Sequence, residues 1–595
     1  MAITQKIKEL ASESLTALYG QTFTEKDFQI NQTKPEFEGD YTIVLFALVK
    51  SLKKSPEIIG NELGEYLVKR HSSIFTSYNI IKGFLNLVVA DGYWLTFVAD
   101  ALKEVNFGEA PANGKRVMVE YSSPNTNKPL HLGHLRNNFL GWSIGAILKA
   151  NGYDTVKTCI ANDRGIHICK SMISWQIFAN GATPESTGTK GDHFVGDYYV
   201  KFNDIYKEQV AELIAKGMSK EQAEKEAPIM RQAQEMLVDW EAGKPEVMEL
   251  WRTMNSWVYK GFDETYHRIG SDFDKVYYES DTYILGKKLV EQGLQKNIFY
   301  KKEDGSVWID LTAEGLDEKV VQRKDGTAVY ITQDIGLAEQ KQKEFNLNES
   351  IYVVGDEQNY HFKVLKLICQ KLGLPSADGI YHLSYGMVEL PTGRMKTREG
   401  TVVDADDIVN EVVQVARQKT EELGKVSGFT EKELKTLYET IGLGALKFFL
   451  LRVDPKKKMI FNPEESIDFN GFTGPFIQYT YARIKSILRK IGDECMPEGS
   501  IIDTSHLLLL EKRLTVILEQ FPSVIEEAGK EHDPSKLAIY IFNVAQLFNS
   551  FYTQHSIANA ESSDKKKLRV QLAQLTANVI KNGMALLGIN VPERM

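Results

Sequence analysis

The chain has 595 residues, 43% hydrophobic and 25% charged, with a formal net charge of −9. Length sets a prior of about three or four domains, and the composition is that of an ordinary globular protein. The first ten residues lack a secretory apolar core, and the most apolar run, 43–49, is far too short to cross a bilayer. The acidic balance argues against a nucleic-acid binder without excluding one, because phosphate affinity depends on local basic patches.

Residues 1–112 read as a small α/β domain. Helical spacing recurs at Ile3, Ile7 and Leu10 and again at Ile58, Ile59, Leu63 and Leu67, with strand-like runs at 41–48 and 84–89. Pro111-Ala-Asn-Gly114 is a linker. From 113 to 405, short β-rich runs at 117–121, 155–160, 329–332 and 351–354 each precede a helical pattern, which predicts a parallel α/β sheet with ligands at its carboxyl ends. Residues from about 170 to 295 interrupt this rhythm with long polar helices. Residues 406–595 read as all helix. Cys159, Cys169, Cys369 and Cys495 form no C-x-x-C pair, which points to reduced thiols in a cytoplasmic protein and to no zinc site.

The densest chemistry lies in Glu120-Tyr-Ser-Ser-Pro-Asn-Thr-Asn-Lys-Pro-Leu-His-Leu-Gly-His134. Val117, Val119 and Tyr121 alternate as in a strand, and Pro124, Asn125 and Pro129 break it. Leu135, Phe139, Leu140, Ile144, Ile147 and Leu148 then follow a helical period. His131, Gly133, His134 and Lys128 therefore sit where a strand hands over to a helix N-terminus, a place that favours an anion such as phosphate. Gly133 leaves room for a nucleotide against the backbone. No Cys or spaced acid completes a metal ligand set around the histidines, and no metal site is expected.

This segment resembles the His-x-Gly-His motif of class I aminoacyl-tRNA synthetases, and its longer form is similar to that of the arginyl-tRNA synthetases. The resemblance implies a Rossmann-like parallel-sheet catalytic domain with a helical insertion, a small α/β N-terminal domain that contacts tRNA, and an all-α anticodon-binding domain at the C-terminus. It implies that Glu38-Gly-Asp-Tyr41 and Lys82-Gly-Phe-Leu-Asn86 belong to the N-terminal tRNA contact. A folding appendage with no RNA role is the alternative there.

Gly393-Arg-Met-Lys-Thr-Arg-Glu-Gly400, within a mobile phosphate loop at 385–405, looks like the Lys-Met-Ser-Lys-Arg loop of the class. It departs from that pattern: Arg394 replaces the first lysine and Thr397 stands where the second would be. In the family a lysine ahead of the histidine motif compensates, and Lys128 matches it. The catalytic set implied is Lys128, His131, His134, Lys396 and Arg398, with ATP held by His131, Gly133, His134, Lys396 and Arg398.

A guanidinium needs carboxylates in a planar fork. Tyr330-Ile-Thr-Gln-Asp334 reads as a strand end, and the resemblance implies an arginine pocket of Glu120, Asn125, Tyr330, Asp334 and Gln358. In the helical C-terminal region, Tyr481, Lys485 and Arg489 are spaced by four and form an aromatic-basic stripe suited to bases and phosphates. On spacing alone a solvated helix face fits the stripe equally. The expected reaction is ATP-dependent activation of L-arginine and its transfer to tRNA(Arg), with Mg2+ arriving on ATP and the chain acting as a monomer. A small nucleotidyltransferase of the same superfamily is disfavoured by the long helical C-terminal third. A non-catalytic RNA-binding relative is disfavoured by the intact motif residues. A different amino-acid specificity is the remaining rival.

Overall fold

The computed structural model describes residues 3–34, 36–375, 377–389, 391, 403–424, 428–492 and 506–595. Its centre is a five-stranded parallel sheet of Arg116–Glu120, Asp154–Ala161, Lys275–Tyr278, Glu349–Gly355 and Ile380–Tyr385. Numbered along the chain, these strands stand in the order 5-4-1-2-3. Strand order therefore reverses between the first and fourth strands. In doubly wound sheets this switch point opens a crevice at the carboxyl ends.

The helix Leu132–Ala150 packs on this sheet with Leu135, Leu140, Ile144 and Ile147 fully buried. Gly141 makes the approach close: a Cβ there would lie 2.3 Å from Cγ of the buried Tyr121. Arg136 is also fully buried. Its guanidinium donates to the carbonyls of Gly386 (2.7 Å), Lys457 (2.9 Å) and Pro455 (3.2 Å), tying the helix to the segment beyond the fifth strand.

The helical insertion contains Gly191–Ala215, Pro228–Glu241 and Pro245–Ile269. It was expected to run to about 295, but the chain rejoins the sheet at Lys275–Tyr278, beside the second strand. A small antiparallel sheet of Tyr300–Lys301, Val307–Ile309 and Lys319–Gln322 follows.

Two strand expectations are corrected. Residues 329–332 are not a strand: Val329 is an extended N-cap and Tyr330–Phe345 is a helix. The β-branched run misled, since Ile331, Ile335 and Ala338 are buried at helical spacing. The run at 41–48 is a strand only over Tyr41–Val44, and Phe46–Leu52 is helical.

The N-terminal part is a four-stranded antiparallel sheet with helices Ile3–Tyr19 and Pro56–Arg70. It is anchored on the helix Leu509–Glu519: Lys512 pairs with Asp40 at 2.9 Å, and the amide of Ile3 donates to Glu519 at 2.5 Å. From Ala405 onward the described secondary-structure elements are helices apart from the two-residue strand Met459–Ile460. Among the described residues no helix is long and apolar enough to cross a membrane.

Candidate active site

The turn after the first strand is built under strain. Ser122 and Ser123 both adopt positive φ (77° and 46°), which is costly for non-glycine residues. Side chains hold it there. The Ser122 amide donates to Asn137 Oδ1 at 2.5 Å, and its hydroxyl meets the Tyr266 hydroxyl at 2.6 Å and accepts from Asn138 at 3.1 Å. Beyond the turn, the Asn162 amide donates to the Pro124 carbonyl and Thr126 to the Asn162 carbonyl, so the loop continues the pairing of the first two strands. Asn125 is thereby fixed at the carboxyl edge of the sheet.

His131 and His134 cap the next helix reciprocally. His131 Nδ1 accepts from the Gly133 amide (3.1 Å), and His134 Nδ1 accepts from the His131 amide (3.2 Å). Both Nδ1 atoms are acceptors, so each ring carries its proton on Nε2. Burial pushes His131 down to about 4, with the Lys128 charge adding to it. Burial also holds His134 well below the ordinary histidine value, helped by His131 and Lys128. Both are neutral donors at pH 7. A Cβ at Gly133 would meet the His131 ring at 2.9 Å, so the missing side chain makes room for that imidazole.

A cavity of about 920 Å³ opens at the carboxyl ends of the first and second strands. Asn125, Tyr330 and Asp334 line it together, although Asn125 lies about 200 residues before the other two. Tyr330 and Asp334 reach it from the first turn and a half of their helix. Glu120 and Gln358 do not line it. Glu120 is buried and paired at 2.5 Å with Lys341, itself buried, whose ammonium lies 4.8 Å from the Tyr352 ring centroid. Gln358 is exposed beyond the fourth strand.

The cavity also contains carboxylates that the sequence does not single out, Glu241, Glu279 and Asp325. Glu279 lines it at the start of the short helix Glu279–Thr282, just past the third strand. Asp163, past the second strand, accepts from the Ser280 amide and hydroxyl (both 2.8 Å) and from the Tyr259 hydroxyl (2.9 Å), fixing that helix start. Burial pushes Glu279 up to about 7; Arg164 opposes the shift, and Asp163 and Asp334 reinforce it. Its signal in the sequence was an acid directly after the run Lys-Val-Tyr-Tyr. On another wall, the Arg164 guanidinium stacks 3.9 Å over Tyr283 and pairs with Glu241 at 3.1 Å.

Lys396 and Arg398, with the 393–400 loop, lie outside the described residues. The expected base-stacking role of Tyr481 is corrected: its ring is buried, and its hydroxyl donates to Glu593 at 2.9 Å. Lys485 (3.5 Å) and Arg489 (3.9 Å) also pair with Glu593 of the C-terminal segment and stay partly exposed.

Three family models match the chain: the class I arginyl (R) tRNA synthetase catalytic domain over 98–462, the DALR anticodon binding domain over 477–595, and the arginyl tRNA synthetase N terminal domain over 3–89. The chain is 52% identical to the arginine–tRNA ligases of Bacteroides fragilis and Bacteroides thetaiotaomicron, over the whole of each chain. The solved arginyl-tRNA synthetase of Thermus thermophilus superposes over all of both chains with a TM-score of 0.79 at 24% identity. That of Plasmodium falciparum gives 0.76 at 19% identity, over all of this chain and 99% of its own. With fold, motif and full-length relatives in agreement, the chain belongs to the arginyl-tRNA synthetase family of class I aminoacyl-tRNA synthetases.

Proposed function

We infer that this chain is an arginine–tRNA ligase, joining L-arginine to tRNA(Arg) at the expense of ATP. The observation that carries the choice of amino acid is the pair Glu279 and Asp334, which share the cavity with Asn125 and Tyr330, while its other two carboxylates are engaged locally, Glu241 by Arg164 and Asp325 by the Thr327 amide. Lys287 and Arg323 add positive charge to the same lining, so both signs are offered, as a zwitterion with a cationic side chain requires. Glu279 ionises as the guanidinium arrives and supplies the second anionic contact. Glu120 serves the frame through Lys341, and Gln358 is kept for the amino-acid end of the substrate.

In the first step a carboxylate oxygen of arginine attacks the α-phosphorus of Mg–ATP, and pyrophosphate leaves. Positioning and charge stabilisation supply most of such a phosphoryl-type step. The Nε2–H groups of His131 and His134 donate to the phosphates, and Lys128, Lys396 and Arg398 balance their charge. In the second step a ribose hydroxyl of the terminal adenosine attacks the activated carbonyl carbon, and AMP leaves. The domains divide as 1–112 for outer tRNA contact, 113–405 for chemistry and 406–595 for the anticodon. In the last of these, Lys485 and Arg489 are the proposed phosphate contacts. The protein works as a cytoplasmic monomer.

Aminoacylation of tRNA with each labelled amino acid, with pyrophosphate exchange measured with and without tRNA, tests the reading. Charging with arginine alone supports it. Charging with lysine or cysteine in its place sinks it.

A further inference from the structure

Asp334 is more than a third exposed, with a side-chain exposure of 38%, so packing alone does not fix its rotamer. One contact does. Its Oδ2 lies 2.6 Å from Nε2 of His361. An ionised carboxylate only accepts, so this contact requires the proton on Nε2, and His361 donates. His361 does not line the cavity and stands behind Asp334, in the first turn of the helix Asn359–Leu372.

The ring of His361 is itself supported from the sheet. It meets Phe362 edge to face (5.8 Å, 88°), and Phe362 stacks on His382 (4.4 Å, 24°). His382 Nε2 donates to the Val354 carbonyl at 3.0 Å, near the end of the fourth strand. A chain of three rings thus joins the sheet to a carboxylate of the cavity. Donors locked in this way by surrounding packing hold a binding group in its productive orientation.

We propose that His361 is a positioning residue for arginine: it holds Oδ2 of Asp334 through Nε2–H, so that the rest of the carboxylate faces the guanidinium. The inference rests on the arginine reading of the cavity. His361 touches neither substrate nor the reacting atoms. Its effect is confined to the affinity for the amino acid, and ATP does not feel it.

The test compares His361→Leu, which removes the donor, with His361→Gln, whose amide nitrogen reaches the position of Nε2. L-Arginine binding is measured by calorimetry, and KM for arginine and for ATP by aminoacylation. His361→Leu is expected to weaken arginine about tenfold in Kd and KM, the scale of one charge-assisted hydrogen bond. KM for ATP, and kcat at saturating arginine, should stay within about twofold, and His361→Gln within about threefold of the parent for arginine. Equal losses in the Leu and Gln variants, a joint rise of both KM values, or no effect of His361→Leu would each overturn the proposal. Asp334→Ala separates the two levels. If it weakens arginine while His361→Leu does not, only the positioning role falls; if it leaves arginine binding intact, the cavity assignment falls with it. In a double-mutant cycle, His361→Leu should cost almost nothing in the Asp334→Ala background, which lacks the acceptor; additive losses count against the proposal.

Discussion

The imidazole of His131 lies 4.0 Å from that of His134, centroid to centroid, and each ring turns Nδ1 onto a backbone N–H of the other's turn. The cap and the proposed phosphate site are one device. The Nδ1 atoms serve the helix, and the same bonds fix the tautomer that leaves Nε2–H for the ligand.

His131→Asn separates these two jobs. Asparagine is a good N-cap, so stability should fall by no more than about 1 kcal/mol. The distal donor is lost, so kcat should drop by about 10²–10³, the usual result of removing one donor to developing charge. Unchanged kcat, with thermal melting as the control, would place the phosphates elsewhere.

Glu279→Gln should trade stability against substrate binding. The carboxyl of Glu279 sits at about 7, above its ordinary 4.5. A raised acid penalises the folded state once the unfolded chain has ionised and the folded one has not. The penalty is absent below about pH 4.5 and complete above about pH 7. The Gln variant should therefore melt higher than the parent at pH 8 and equally at pH 4.5. Its arginine KM should rise about 10- to 100-fold, as for a lost hydrogen bond to a charged group. In the parent, arginine affinity should fall as pH drops below 7, and that dependence should disappear in the variant. A pH profile that survives the substitution would exonerate Glu279.

The Glu120–Lys341 pair is buried on both sides. Lys341→Ala leaves a carboxylate without its counter-charge and should cost about 3–5 kcal/mol, read from urea unfolding of the catalytic domain. Glu120→Gln combined with Lys341→Met should recover most of that. If Glu120 binds arginine directly instead, the double variant will fold well and lose arginine affinity by orders of magnitude.

Glu593 neutralises Lys485 and Arg489 from the C-terminal segment. These pairs are partly exposed, so Glu593→Ala should change stability by only about 0–1 kcal/mol. Filter binding of tRNA across a salt series should show equal or tighter affinity for this variant. Lys485→Ala should weaken binding and reduce the log–log salt slope by roughly 0.7–0.9, one phosphate contact. A weaker Glu593→Ala complex would mean that the tail itself is part of the tRNA site.

The local signals were legible where one segment contains all of its own physics. The strand, turn and capped helix of 116–150 could be read because Pro124, Pro129 and the Leu135–Leu148 periodicity act over a few residues. The helix at Tyr330 was misread because Val329, Ile331 and Thr332 satisfy a strand pattern over four residues. Only the burial of Ile335 and Ala338 decides the period. Glu279 was passed over because an acid after a short β-run is ordinary in sequence. It becomes notable only when Asp163, 116 positions earlier, fixes the turn beside it.

The sequence by itself determined the class of fold, the histidine motif and the family to which they point, because these rest on periodicity and on short motifs whose residues are neighbours in the chain. Tertiary structure alone decided which charges are available. Glu120 is spent on Lys341, 221 residues away, and Tyr481 on Glu593, 112 residues away. Asp334 is held by His361 from the next helix. A charged side chain does what its nearest counter-charge and its access to water allow, and both are set by segments that meet only when the sheet has formed.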